Sequence, residues 1–149
     1  MRIFVDCEFN GFGGELISMA LVTEGGSLWY GVLPAPRVWD KWVYENVYPV
    51  LYADPISKED FRASAIAWLQ QFDNPTIIAD WYTDLVHFFS LFAGKHHTES
   101  VGYACTAELV LIDSYESAIP HNALHDAVAI RDAYLRLPSK AKQVETAGT

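Results

Sequence analysis

The chain predicts an α/β fold with one mixed sheet, its first three strands antiparallel and the later ones parallel, flanked by helices. Three observations carry this. Three β-rich segments follow one another at the start, separated only by glycine-rich turns. Helical periodicity then alternates with short apolar runs, giving the order β-β-β-α-α-β-α-(β)-α. No apolar run approaches the roughly 20 residues that cross a bilayer, so the elements must bury their apolar faces against one another.

Residues 2–9 are rich in β-formers and are broken by Asn10-Gly11-Phe12-Gly13-Gly14. Residues 16–23 and 27–33 read as the second and third strands, joined through Glu24-Gly25-Gly26 as a hairpin. Pro34-Ala35-Pro36 ends the third. Residues 39–51 read as a helix, with Trp42, Val43, Asn46, Val47 and Val50 at helical spacing. Ser57-Lys58-Glu59-Asp60 has the form of a capping box. The helix behind it stacks Phe61, Ala65, Trp68, Leu69 and Phe72 on one stripe until Asp73-Asn74-Pro75 stops it.

Residues 76–79 form a short, continuously apolar strand of the kind buried on both faces. The next helix puts Leu85, Phe88, Phe89 and Phe92 on one face and ends at Gly94. Residues 108–112 fit a strand or a short helix equally. The last helix spans 123–137. Residues 1–138 thus read as a single domain, and 139–149 as a polar, frayed tail.

Composition narrows the class. Half the residues are apolar, which fits a globular chain. Asp6 would fall inside the apolar core of a signal peptide, so the expectation is a mature, cytoplasmic protein. Cys7 and Cys105 lie in no zinc-like spacing and read as buried, reduced thiols. The net charge of −9 argues against broad affinity for nucleic acid, which needs a basic surface. It is compatible with an enzyme that grips a few terminal nucleotides, and with carboxylates whose charge is offset by bound cations.

Several carboxylates stand where core residues are expected. Asp6 and Glu8 point to one face of a strand whose other residues read as core. Buried like charges are costly unless paired or bound to metal. The alternative is an edge strand with two solvated acids. Asp84 extends the apolar stripe of its helix at the N-terminal end, where the helix dipole also favours an acid. Asp80, at the end of the preceding strand, competes for the same role and ranks lower. Asp126 lies on the inward stripe of the last helix with Ala123, Ala127, Ile130, Ala133, Tyr134 and Leu137. Its alternative is a salt bridge to Arg131 or Arg136. His121 stands in the loop ahead of that helix, with Asn122 as N-cap, placed to abstract a proton from water or simply to sit at the surface.

Together these residues resemble a known pattern. Phe4-Val5-Asp6-Cys7-Glu8-Phe9 carries D-x-E at the end of a first strand. Asp84 is similar to the central acid of a second motif. His121-Asn122-Ala123-Leu124-His125-Asp126-Ala127 resembles H-x-A-x-x-D-A. This is the signature of the DEDDh branch of the DnaQ-like, RNase H-like 3′→5′ exonucleases. Glu15-Leu16-Ile17-Ser18 and the segment from Trp42 to Leu51 resemble the small bacterial and phage 3′→5′ exoribonucleases of that group. The likeness extends to about Leu137. Asp80-Trp81-Tyr82-Thr83-Asp84 departs from the usual N-x-x-F-D form of the second motif.

The resemblance implies an RNase H-like sheet and hydrolysis of single-stranded RNA, or DNA, from its 3′ end to nucleoside 5′-monophosphates. It implies two Mg²⁺ or Mn²⁺ ions held by Asp6, Glu8, Asp84 and Asp126, with His121 as general base. It also implies a homodimer. The loop after D-x-E would hold the terminal nucleotide through Asn10, Gly11, Phe12 and Leu16, with Trp81 and Tyr82 as further stacking candidates. Two competing expectations remain. One is a catalytically silent nucleic-acid-binding or scaffold domain of the same fold. The other is a carboxylate-rich metal enzyme of another fold, such as a phosphatase.

Overall fold

β1 (Arg2–Phe9), β2 (Leu16–Thr23) and β3 (Leu28–Val32) form an antiparallel meander in the computed structural model, which describes residues 1–94 and 99–138. β4 (Thr76–Ala79) pairs in parallel with the free side of β1, and β5 (Thr106–Leu109) pairs in parallel with β4. The five-stranded order is therefore β3-β2-β1-β4-β5. β1 is central, so the edge-strand alternative for Asp6 and Glu8 falls. The polar tail expected at 139–149 lies outside the described residues. Among the described residues, no helix is long and apolar enough to cross a membrane.

Alternation along β1 decides which helix covers which face. Ile3, Val5 and Cys7 join Met19, Leu21, Ile77 and Ala79 under α2 (Lys58–Leu69) and α3 (Tyr82–Ser90). Phe4 and Ile78 point the other way, onto Ile130 and Tyr134 of α4 (Ala123–Arg136). Phe4 and Tyr134 meet edge to face at 5.3 Å. Asp6 and Glu8 follow Phe4 on the α4 side, beyond the apolar contact. The pairing of β1 with β2 slips between Glu8 and Phe9, and Ile17 has no partner on β1. This bulge lets Ile17 join Val32, Val43, Val47 and Leu51 beneath α1 (Lys41–Asn46).

Several boundaries differ from the sequence expectation. The helix expected over 39–51 is a short α1 followed by a 3₁₀ turn, Tyr48–Val50. Pro49 has no N–H to donate and its ring crowds the preceding turn, so the helix cannot continue through it. Within α1, Val43 is buried while Trp42 is half exposed, so Trp42 is not a core residue. α3 stops at Ser90 rather than Gly94. Arg62 donates to the Leu91 and Ala93 carbonyls at 2.6 and 3.3 Å, satisfying acceptors at the helix end from outside. Phe89 then faces out, 44% exposed, and leaves the predicted stripe. Of the ambiguous segment 108–112 only Glu108 and Leu109 lie in a strand, which begins earlier, where Thr106 pairs with Thr76. The capping position Ser57 is borne out: its hydroxyl accepts from the Asp60 N–H at 3.0 Å. Both cysteines are free, and Cys105 is half-buried rather than buried.

Asn122 ties α4 to the rest of the fold. Its Oδ1 accepts from the Leu124 and His125 N–H groups at 3.0 and 3.2 Å. Its Nδ2 donates to the carbonyls of Val50 and Leu51 at 2.7 and 3.3 Å. Asn122→Ala removes a cap worth about 1 kcal/mol and takes the side-chain donor from the Val50 carbonyl, while the Leu51 carbonyl keeps the Tyr30 hydroxyl at 2.9 Å. The expected result is a thermal midpoint lower by several degrees, read by circular dichroism. A midpoint equal to wild type would contradict the role assigned to this side chain.

Candidate metal centre

The carboxylates converge because two strands end and two helices begin at the same place. Asp6 and Glu8 occupy the C-terminal half of β1. Asp80 follows directly on β4, which runs parallel to β1, so both strands point at one edge of the sheet. Asp84 lies in the first turn of α3 and Asp126 in the first turn of α4. Both helix N-termini direct their partial positive charge toward the same cleft, where an acid is favoured. The outer ends of parallel strands are where α/β sheets place ligands.

The cleft has a volume of about 340 Å³ and is lined by Asp6, Glu8, Asp80, Asp84 and Asp126, with Trp81, Tyr115 and His121 among its other walls. Two trios stand out. Ligand atoms of Asp6, Asp80 and Asp84 lie within 4.8 Å of one another, and so do those of Glu8, His121 and Asp126. Asp84 is only 2% exposed and Asp6 and Asp126 are each 7% exposed. Asp126 Oδ2 accepts from the His121 backbone N–H at 3.0 Å. Asp126 Oδ1 and Asp6 Oδ2 are buried with no hydrogen-bond partner. Arg131 pairs with Asp132 at 2.8 Å, not with Asp126, so the salt-bridge alternative for Asp126 is not realised there.

This charge cannot rest unneutralised. Burial, and then the charges of Asp84, Glu8, Asp126 and Asp80, push Asp6 well above the ordinary carboxyl range. Burial and Asp126 raise Glu8 to about 8. Burial and Asp80 raise Asp84 to about 8, although the Cys7 backbone amide beside it offsets part of this. Asp80 and Asp126 are raised too, chiefly by burial. The remedies are protons or cations. Two orphaned carboxylate oxygens and a mainly oxygen donor set fit hard divalent ions such as Mg²⁺ or Mn²⁺.

The shifts set a pH dependence. Glu8 and Asp84 have ordinary values of 4.5 and 3.8, and both titrate near 8 in the metal-free fold. Between these values the folded chain binds more protons than the unfolded chain, so stability falls as pH rises through that window. Divalent cations held by these acids would replace those protons and would bind the folded state alone. Melts in EDTA should therefore give a lower midpoint at about pH 8 than at about pH 5, with the loss recovered by millimolar Mg²⁺. Equal midpoints in EDTA would contradict the electrostatic account.

His121 takes a left-handed backbone conformation, φ 65°, that non-glycine residues seldom adopt. Its main chain is held by Asp126, and its ring stands edge-on to Trp42 at 4.9 Å. Strain of this kind collects at functional positions.

The residues assigned to substrate are distributed unevenly. Trp81 lines the carboxylate cleft and packs against Tyr82 at 5.4 Å; both rings are largely exposed. Phe12 is 89% exposed at the tip of its loop. Gly11 has φ 73°, and a Cβ there would meet Asp40 at 3.6 Å. Asn10 shapes the loop: its Nδ2 donates to the Val38 carbonyl at 2.7 Å and its Oδ1 accepts from the Asp40 N–H at 2.8 Å. Leu16 lines a neighbouring cleft instead of the carboxylate one.

Sequence reasoning ranked Asp80 below Asp84, yet both stand beside Asp6. It missed Tyr115, which lies in a segment without regular structure and carries no motif. It gave Trp42 no role beyond its helical spacing, although Trp42 is the ring against His121. Only the buried stripe Val43–Val47–Leu51 could have placed Trp42 on the flank. Neither a known protein-family model nor a curated protein sequence matches this chain.

Proposed function

We propose that this chain is a metal-dependent 3′→5′ exonuclease of RNase H-like fold, acting on single-stranded RNA and releasing nucleoside 5′-monophosphates. One observation carries the reading. Asp6, Glu8, Asp84 and Asp126 converge from β1, α3 and α4 on one cleft, with His121 at its rim. The sheet order, with an antiparallel meander followed by parallel β4 and β5, is compatible with that fold.

In this reading Asp6, Glu8, Asp84 and Asp126 hold two Mg²⁺ or Mn²⁺ ions, with Asp80 beside Asp6 and Asp84. Bound there, the ions supply Lewis-acid charge for phosphodiester hydrolysis. His121 is exposed enough to meet water and to return a proton to solvent. A neutral ring nitrogen of His121 takes the proton as water attacks the terminal phosphorus. The bond from phosphorus to the 3′-oxygen of the preceding nucleotide breaks. The 5′-monophosphate leaves, and the freed 3′-oxygen takes a proton from solvent, so the shortened strand keeps a 3′-hydroxyl. Trp81 on the cleft wall, with Tyr82 packed beside it, offers a ring face to a terminal base.

The test uses a 5′-labelled single strand of RNA and the same sequence as DNA. With Mg²⁺, the expected products are a ladder shortening from the 3′ end and free 5′-monophosphates, both absent in EDTA. Faster loss of the DNA strand would move the substrate assignment to DNA. Intact strands of both kinds, or 3′-monophosphate products, would overturn the reading.

A further inference from the structure

A second, larger cleft adjoins the carboxylates. It has a volume of about 600 Å³, and Leu16, Leu33, Phe61 and Leu91 give it an apolar wall. The partition between the clefts is the ring pair Phe9–His87, 5.4 Å apart. Phe9 lines the carboxylate side and His87 the other. His87 is also one helical turn beyond Asp84 on α3. A smaller cleft of about 370 Å³ continues the path, sharing Glu15, Pro34 and Lys58 with it and adding Arg37.

The charge along this path runs against the rest of the molecule. The chain carries −9 overall. Among the described residues, Arg2, Lys41 and Arg131 are paired with acids. Arg37, Lys58, Arg62 and Arg136 are in no such pair, and three of these four line the two joined clefts. Arg62 is fixed there by its bonds to the Leu91 and Ala93 carbonyls. Glu15 is the acid on the same walls. Three cations beside an apolar wall match a chain of phosphates with bases attached.

We propose that the joined clefts seat the strand on the 5′ side of the scissile bond, with a base against Leu16, Leu33 and Phe61 and phosphates against Lys58, Arg62 and Arg37. This deepens the exonuclease reading and rests on it. It assigns the enzyme to oligonucleotides several residues long, gripped beyond the nucleotide being removed.

The test pairs Lys58→Glu with Arg37→Glu, both at exposed positions, and uses Arg136→Glu as a control away from the path. Binding of a fluorescent single-stranded octamer and dinucleotide is followed by anisotropy over a range of salt, with Ca²⁺ as the cation. The double variant should weaken octamer binding about tenfold and flatten its salt dependence by about 0.7 per lost phosphate contact. The loss should be several-fold smaller for the dinucleotide. Arg136→Glu should bind the octamer as wild type does. If wild type degrades the strand but the double variant binds the octamer with unchanged affinity and salt slope, the path is overturned and the exonuclease reading stands. If wild type neither binds nor degrades a strand, both fall.

Discussion

Asp6→Asn should abolish strand degradation and, in EDTA at about pH 8, raise the thermal midpoint of the protein. The two effects have one cause. Asp6 is buried on the central strand, its Oδ2 has no partner, and four other acids surround it. An amide of the same shape removes the charge that burial and Asp84 oppose, so the metal-free fold gains. In the proposed mechanism the same change removes a cation ligand. Cations contribute several kcal/mol of transition-state stabilisation, and each 1.4 kcal/mol is tenfold in rate, so the loss should be about 10³-fold or more. Asp126→Asn should lose activity similarly. Its stability gain should be smaller, because Asp126 also accepts from the His121 N–H. An Asp6→Asn variant that is active and less stable than wild type in EDTA would contradict the account on both counts.

His121→Ala should lower kcat by about 10²–10⁴-fold, the usual range for a positioned acid–base group. Cation binding should be largely retained. A purely structural histidine would predict the reverse, a loss of fold with little specific effect on rate. The left-handed backbone at φ 65° is the complication, since alanine is strained there as well. His121→Asn separates the two effects, because asparagine tolerates this conformation better but takes no proton at neutral pH. Both variants should be slow, with His121→Asn the more stable. Wild-type kcat in His121→Asn would remove the residue from the mechanism.

Much of this architecture is legible in the sequence, and the reasons are local. β1 and β2 are dense in β-formers and bounded by glycines, so their limits agree with the structure. Asn122 and Asp126 are legible because a cap and an acid on a buried stripe are one-helix patterns. What could not be read depends on partners far away in sequence. β5 is an edge strand with little burial, so its residues carry no alternation, and only its pairing with β4 sets the register. The end of α3 is set by Arg62 from another helix. Whether Asp80 or Asp84 reaches Asp6 depends on how closely α3 starts behind β4, and the tight start brings in both. The basic path past His87 is invisible in sequence because Arg37 follows β3 while Lys58 and Arg62 stand one turn apart on α2, and only the fold brings the two segments to one wall.

The central claim is that these acids form a cation centre whose charge is carried by protons when the cations are absent. Calorimetric titration of Mn²⁺ at about pH 7, in buffers of different ionisation enthalpy, measures binding and proton release together. Saturable binding should release protons, with the number falling as pH is raised past about 8, and both should be sharply reduced in Asp6→Asn. Absence of saturable binding, or binding without proton release that Asp6→Asn leaves untouched, would contradict it.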